Sequence, residues 1–273
     1  MSDVRTRSGP RWHTEPDRVE VGGAELALRR DGAGEPLLYL HGHWLTRCWS
    51  PFHARLAERA DVIAPEAPGF GDSPCPPWVT DRTDVVLLYR ALLDALGLDR
   101  VHLAGHGLGA WLAADFAILN PGRVKSLTVL APFGLRVPGE PIADVFIADP
   151  ATYDDLYFSG EPVEGVVPGP GTPELGGPEE FAARYGDMGG AARLMWDFRY
   201  DLKLERRLPP LGLPALVVTA DDDRVVPPAH GARWAELLGA RSHALPGGHA
   251  FPVQHPERTA DLITDFLTEA HDA

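Results

Sequence analysis

The chain has 273 residues, 44% of them hydrophobic, enough to bury a sizeable core in one α/β domain that carries an insertion. Its 25 Lys and Arg stand against 39 Asp and Glu, a formal charge of −14, which argues against nucleic acid or an anionic membrane as partner. Cys48 and Cys75 are the only cysteines and form neither a metal spacing nor a disulfide framework, so free thiols, a reducing cytoplasm and no metal or other cofactor are expected.

Residues 1–18, MSDVRTRSGPRWHTEPDR, have arginines with no apolar stretch behind them, which predicts a loosely held arm and no signal peptide. No later run approaches a membrane span. RVEVGGAELALRR reads as a hairpin turning at Gly22 and Gly23. PLLYLHG and DVIAPEAPGFGDSP each put a short strand before a Gly/Pro loop, with the helical pattern PFHARLAERA between them, a β-α-β unit. TDVVLLYRALLDALGL predicts a helix stopped at Gly97, followed by the strand RVHLAG, the helix LGAWLAADFAILNPG and the strand VKSLTVLAPFG. LPALVVTADDD with AHGARWAELLGA, and RSHALPGGH with PERTADLITDFLTEA, supply two more strand-helix pairs. This order predicts an α/β fold with a mostly parallel, doubly wound sheet covered by helices on both faces.

Between residues 133 and 210 the rhythm breaks. PIADVFIADPATYDDLYF, EEFAARYG and GAARLMWDFRYDLKLERRL are helical patterns, separated by the Pro- and Gly-dense GEPVEGVVPGPGTPELGGPEE. The expected division is an arm over 1–18, a core over 19–132 and 211–273, and a helical cap over 133–210, seated above the carboxyl ends of the strands where open α/β sheets bind ligands.

VHLAGHGLGAW, Val101 to Trp111, has the small-x-centre-x-small spacing of a strand turning sharply into a helix, and its centre is Gly107. Together with LLYLHGHW, APGFGDSP, TADDDRVVP and GGHAFPVQHPE, in this order over about residues 19–270, it resembles the α/β-hydrolase superfamily. The resemblance is to the capped branch of epoxide hydrolases, haloalkane dehalogenases and carbon-carbon bond hydrolases. It implies His249 as the base, ahead of His243 and His255, and selects Asp223 over Asp221 and Asp222 as the acid, four residues before Pro227. It also implies oxyanion donors at the backbone N–H groups of His43 and Leu108, with His41 holding the turn. Gly107 departs from it at the position of the nucleophile, and the aspartate that dehalogenases and epoxide hydrolases need there is absent. Glycine also escapes the backbone cost that a sharp elbow imposes on residues with a Cβ.

Four readings follow. The chain is an enzyme whose His249–Asp223 pair acts as a general base without covalent catalysis, with lyase or cyclase chemistry also open to it. Otherwise it is a non-catalytic binder of a small apolar ligand, a serine hydrolase disarmed at position 107, or an enzyme with its nucleophile elsewhere. The expected substrate is a small hydrophobic carbonyl, ester or enol compound, contacted by Trp44, His106, Phe133, Trp196 and Phe251.

Overall fold

The computed structural model describes residues 12–166, 177–196 and 200–271. Eight strands, β1 (Asp17–Val21), β2 (Ala24–Asp31), β3 (Pro36–Leu40), β4 (Asp61–Pro65), β5 (Val101–His106), β6 (Val124–Leu130), β7 (Ala215–Ala220) and β8 (Arg241–Leu245), form one sheet. Its order is β1-β2-β4-β3-β5-β6-β7-β8. The β1–β2 and β2–β4 pairs are antiparallel and all others are parallel. The hairpin turns at Gly22 and Gly23, whose φ values of 57° and 79° suit the tight turn between twisted strands.

Helix α1 (Pro51–Ala57) links β3 to β4; α2 (Arg82–Ala95) precedes β5; α3 (Leu108–Leu119) joins β5 to β6. Among the described residues, α4 (Tyr153–Phe158), α5 (Gly177–Met195) and α6 (Leu204–Arg207) lie between β6 and β7; α7 (Pro228–Leu238) follows β7, and α8 (Phe251–Gln254) and α9 (Pro256–His271) follow β8. On one face Phe52 and Leu56 of α1 pack with Ile263 and Phe266 of α9 over Leu37 and Val62. On the other, Tyr89, Leu92, Trp111, Phe116 and Trp234 bring α2, α3 and α7 together. All six residues of β5 are buried, as are Leu108 to Ala117 of α3. A strand and helix enclosed on all sides fix the turn between them rigidly.

The inserted segment differs from its predicted helices. Only 153–158 of the stretch 141–158 forms an α-helix, after a single 3₁₀ turn at Pro150–Thr152. Asp144 and Asp149 side chains accept the N–H groups of Phe146 and Ala151, and such local turns compete with helix. Conversely, EEFAARYG and the first residues of GAARLMWDFRYDLKLERRL merge into α5, which runs through Gly186, Gly189 and Gly190, while the rest of the second pattern lies partly at 197–199, outside the described residues, and forms only the short α6. Packing selects the last of these glycines, because a Cβ on Gly190 would fall 2.7 Å from the Gly69 carbonyl oxygen and 2.8 Å from the Phe70 ring. The loop GEPVEGVVPGPGTPELGGPEE falls partly at 167–176, outside the described residues, as does the arm over 1–11. The remaining arm is fastened: Arg29 donates to the Thr14 carbonyl at 2.6 Å, and Trp49 N–H to the Trp12 carbonyl at 3.0 Å. The strand begins at Asp17, two residues before the expected core boundary.

Candidate active site

Gly107 is the hinge between β5 and α3, with φ 55° and ψ −112°. Its N–H donates to the Leu130 carbonyl at 2.8 Å and its carbonyl accepts the Phe133 N–H at 3.2 Å, so the neighbouring strand β6 and the loop after it lock the turn. The flanking glycines are required by space. A Cβ on Gly105 would overlap the Gly109 carbonyl, and one on Gly109 would overlap the carbonyls of Leu40 and His41. The turn therefore lies backbone against backbone with the end of β3, which brings the His41–Trp44 loop beside Leu108.

Two further strand ends deliver the dyad. His249, after β8, donates from Nδ1 to Asp223 Oδ2, after β7, at 2.9 Å, and both side chains are fully buried. The other carboxylate oxygen accepts the N–H groups of Val225 and Val226 at 2.9 and 2.8 Å. With its proton held on Nδ1, the imidazole keeps a lone pair on Nε2. That nitrogen is buried without a partner among the described residues and lies 3.4 Å from where a Cβ on Gly107 would be. The competing carboxylates point elsewhere: Asp221 accepts the Gly247 N–H at 3.2 Å, and Asp222 pairs with Arg224 at 2.7 Å.

Three more histidines surround this point. His106 donates from Nε2 to the His249 carbonyl at 2.9 Å, its ring centroid 4.5 Å from that of His249. The buried ring of His43 is 5.9 Å from His249. Burial holds both well below the usual histidine range, and the charge of a protonated His249 would push them lower still. They stay neutral around the dyad. His41 is taken up by the loop: Nε2 accepts the Ala67 N–H at 3.0 Å, Nδ1 donates to the Gly42 carbonyl at 2.6 Å, and burial lowers it to about 4.

Of the expected substrate-contacting aromatics, Phe133 meets the site directly, 3.3 Å from the position of a Cβ on Gly107 and 5.9 Å centroid to centroid from His249. Trp44 lines a crevice with Leu45, His106, Ala250 and Val253. Phe251 belongs to the core between α1 and α9 and meets His106 edge-on at 6.0 Å, backing that ring. Trp196 lies at the surface. It follows the last residue of α5, is 61% exposed, and lies on Phe146 at 5.1 Å. The end of α5 turns it outward.

A residue that sequence reasoning missed is Tyr157. Its hydroxyl hydrogen-bonds His43 Nε2 at 2.7 Å, and its ring lies 6.0 Å from His249. Burial raises it well above the usual phenol range. Helix α4, which carries it, is clasped to both dyad loops. The Tyr157 carbonyl accepts the Ala250 N–H at 2.8 Å, Ser159 Oγ donates to the Asp222 carbonyl at 2.5 Å, and Gln254 donates to the Phe158 carbonyl at 3.0 Å. The signal available in sequence was the i, i+4 spacing of Tyr153 and Tyr157, both buried.

Among the described residues no group of three or more His, Cys, Asp or Glu side chains could hold a metal ion, and no helix is long and apolar enough to cross a membrane. Residues 37–262 match the model of the alpha/beta hydrolase family. The chain belongs to that family. It is similar to 2-hydroxymuconate semialdehyde hydrolase of Pseudomonas sp. (strain CF600), with 28% identity over 92% of this chain and 93% of the relative. It is also similar to fluoroacetate dehalogenase of Burkholderia sp., with 27% identity over 92% and 93%. Among solved structures, a bacterial membrane phospholipase A superposes with a TM-score of 0.76 at 27% identity, over 94% of this chain and 87% of that one. A meta-cleavage product hydrolase variant gives 0.77 at 20% identity over 93% and 98%, a likeness of fold. The α/β-hydrolase fold thus accounts for the mostly parallel eight-stranded sheet.

Proposed function

We propose that this α/β-hydrolase is an enzyme acting on a small hydrophobic carbonyl, ester or enol compound, with His249–Asp223 as a general base and no nucleophile at position 107. Residues 133–210 act as its cap over a core of 19–132 and 211–273. The observation that carries the reading is the buried His249 Nε2, unpartnered among the described residues and 3.4 Å from where a Cβ on Gly107 would be, while Nδ1 is held by Asp223. A base kept in one tautomer, with its free nitrogen toward the side-chain-less position 107, suits proton abstraction.

A water molecule beside Gly107 gives one proton to Nε2 as its oxygen bonds the substrate carbonyl carbon. The carbonyl becomes an oxyanion, held by the backbone N–H groups of His43 and Leu108. Collapse expels the leaving group, which takes the proton back from the imidazolium. Donors of this kind contribute roughly 10²- to 10³-fold each. Relatives named as hydrolases of 2-hydroxymuconate semialdehyde and of 2-hydroxy-6-oxo-2,4-heptadienoate support small oxygenated substrates. His43 and Tyr157, hydrogen-bonded to each other beside the base, add a polar contact for a substrate oxygen.

The disarmed-serine reading has one observation in its favour: the positive φ of Gly107 keeps the backbone shape of an elbow. The experiment for the main reading is His249→Ala, assayed against a panel of small esters, enols and β-dicarbonyl compounds. Turnover by the unaltered protein that vanishes in the variant supports the base. Binding of panel compounds without turnover by either form identifies a binding protein instead.

A further inference from the structure

The loop leading out of His43 holds two residues other than glycine in the left-handed region, Leu45 at φ 61° and Arg47 at φ 58°. Such backbone persists only where its surroundings hold it. Here the holds are explicit. Arg47 N–H donates to Glu66 Oε1 at 2.5 Å, His13 Nδ1 donates to the Arg47 carbonyl at 3.0 Å, and the Thr46 hydroxyl donates to Asp187 Oδ2 at 2.7 Å. Asp187 is the odd member, because it comes from α5 in the inserted segment, 141 residues further along the chain. Its other oxygen accepts the Gly71 N–H at 2.8 Å, so one carboxyl joins α5 to two core loops. Nearby, Gly190 of the same helix fits against Gly69 and Phe70, and the Leu194 carbonyl accepts from Arg82 at 3.1 Å.

We propose that Asp187 is a pH-responsive positioning residue: it fixes α5 to the loop leading out of His43, and the attachment loosens as its carboxyl ionises. The surroundings favour the neutral form. Asp187 is 5% exposed, and the nearest charged groups are the buried Glu66 and the Arg47 guanidinium, with Asp72 and Arg29 behind them. Arg29 is engaged by Glu66 at 2.8 Å and Arg47 by Asp72 at 2.9 Å, which leaves Asp187 without an ion pair of its own among the described residues. A protonated carboxyl keeps both contacts, accepting from Gly71 and donating to the Thr46 hydroxyl. Burial pushes Asp187 up to about 7, the charge of Glu66 adding to it while the Thr46 and Gly71 bonds and Arg47 oppose it.

A freed, solvated carboxyl titrates near about 3.9, so the attached form retains a proton that the freed form has lost. Attachment is strongest below about pH 4, weakens by about tenfold per pH unit toward pH 7, and is level above that. This inference stands whether or not His249 is a base, since its readout needs no turnover.

Hydrogen-exchange protection factors, corrected for intrinsic rates, test it on the full chain at pH 5.5 and pH 8, with amides of β5 as internal reference. Opening of residues 45–47 and 184–190 relative to β5 is expected to rise at least about tenfold between the two pH values. Asp187→Asn, which keeps an acceptor for Gly71 and a donor for Thr46 but cannot ionise, should flatten the dependence to under about threefold while staying closed. Asp187→Ala should open these segments at both pH values. A wild-type opening that ignores pH, or a pH dependence that persists in Asp187→Asn, overturns the proposal.

Discussion

Replacing Gly109 with alanine places a Cβ 2.5 Å from the Leu40 carbonyl carbon, against backbone that cannot rotate away. β3 and α3 are both anchored in the core, so the two would have to part for the methyl group to fit. Overpacking of a closed interior costs about 1 to 3 kcal/mol. For a chain of this size that lowers Tm by roughly 3 to 10 °C. Gly186→Ala is the matched control: it is inside α5, where a Cβ meets nothing within 4 Å, and the added methyl should stabilise by about 0.5 to 1 kcal/mol. Calorimetric melting of both variants beside the parent protein is the assay. A Gly109→Ala variant that melts with or above the parent would show that the turn and the end of β3 are not in backbone contact, and the juxtaposition of His43 with Leu108 would fall with it.

Tyr157→Phe removes the hydroxyl that satisfies the buried His43 Nε2, and should cost about 1 to 3 kcal/mol in urea unfolding; an unchanged midpoint would refute that hydrogen bond. Cys48 is buried, its thiol pushed up to about 12, while Cys75 is half-buried in a loop. A thiol reagent at pH 8 should therefore modify Cys75 alone in the folded protein and both cysteines in guanidinium; fast reaction of two thiols in the native state would contradict the burial of Cys48.

The alternation of short apolar strands and amphipathic helices made the sheet legible, because buried parallel strands and their crossover helices carry distinct periods. The dyad loops were legible too: His249 follows Gly247 and Gly248, Asp223 precedes a Val-Val-Pro turn, and each sits just past a strand end. What could not be read were contacts made across the inserted segment. Nothing near Tyr157 or Asp187 in the chain marks them as neighbours of His43 and Thr46, since those pairings span 114 and 141 residues. The same gap explains Trp196: an aromatic residue in a helical insertion has no sequence mark for its facing, and here α5 ends just before it. Over 141–152 the error was one of local competition, in which Asp144 and Asp149 bonded their own backbone and took residues from the expected helix.

His249, paired with Asp223, is proposed to serve a position that lacks a nucleophile, and Gly107→Ser measures this most directly. A Cβ there would lie 3.3 Å from Phe133 and 3.4 Å from His249 Nε2, so a serine hydroxyl would come beside the base once the Phe133 ring gives slightly. The positive φ would cost about 1 to 3 kcal/mol of stability. Initial rates of p-nitrophenyl acetate hydrolysis should be compared for the parent protein, Gly107→Ser and the Gly107→Ser/His249→Ala double variant, each shown to be folded by circular dichroism. The expected result is a burst of p-nitrophenol and sustained hydrolysis in Gly107→Ser that is absent from the parent and abolished in the double variant. A folded Gly107→Ser protein with no gain, or a gain that survives His249→Ala, would contradict the claim that His249 serves position 107.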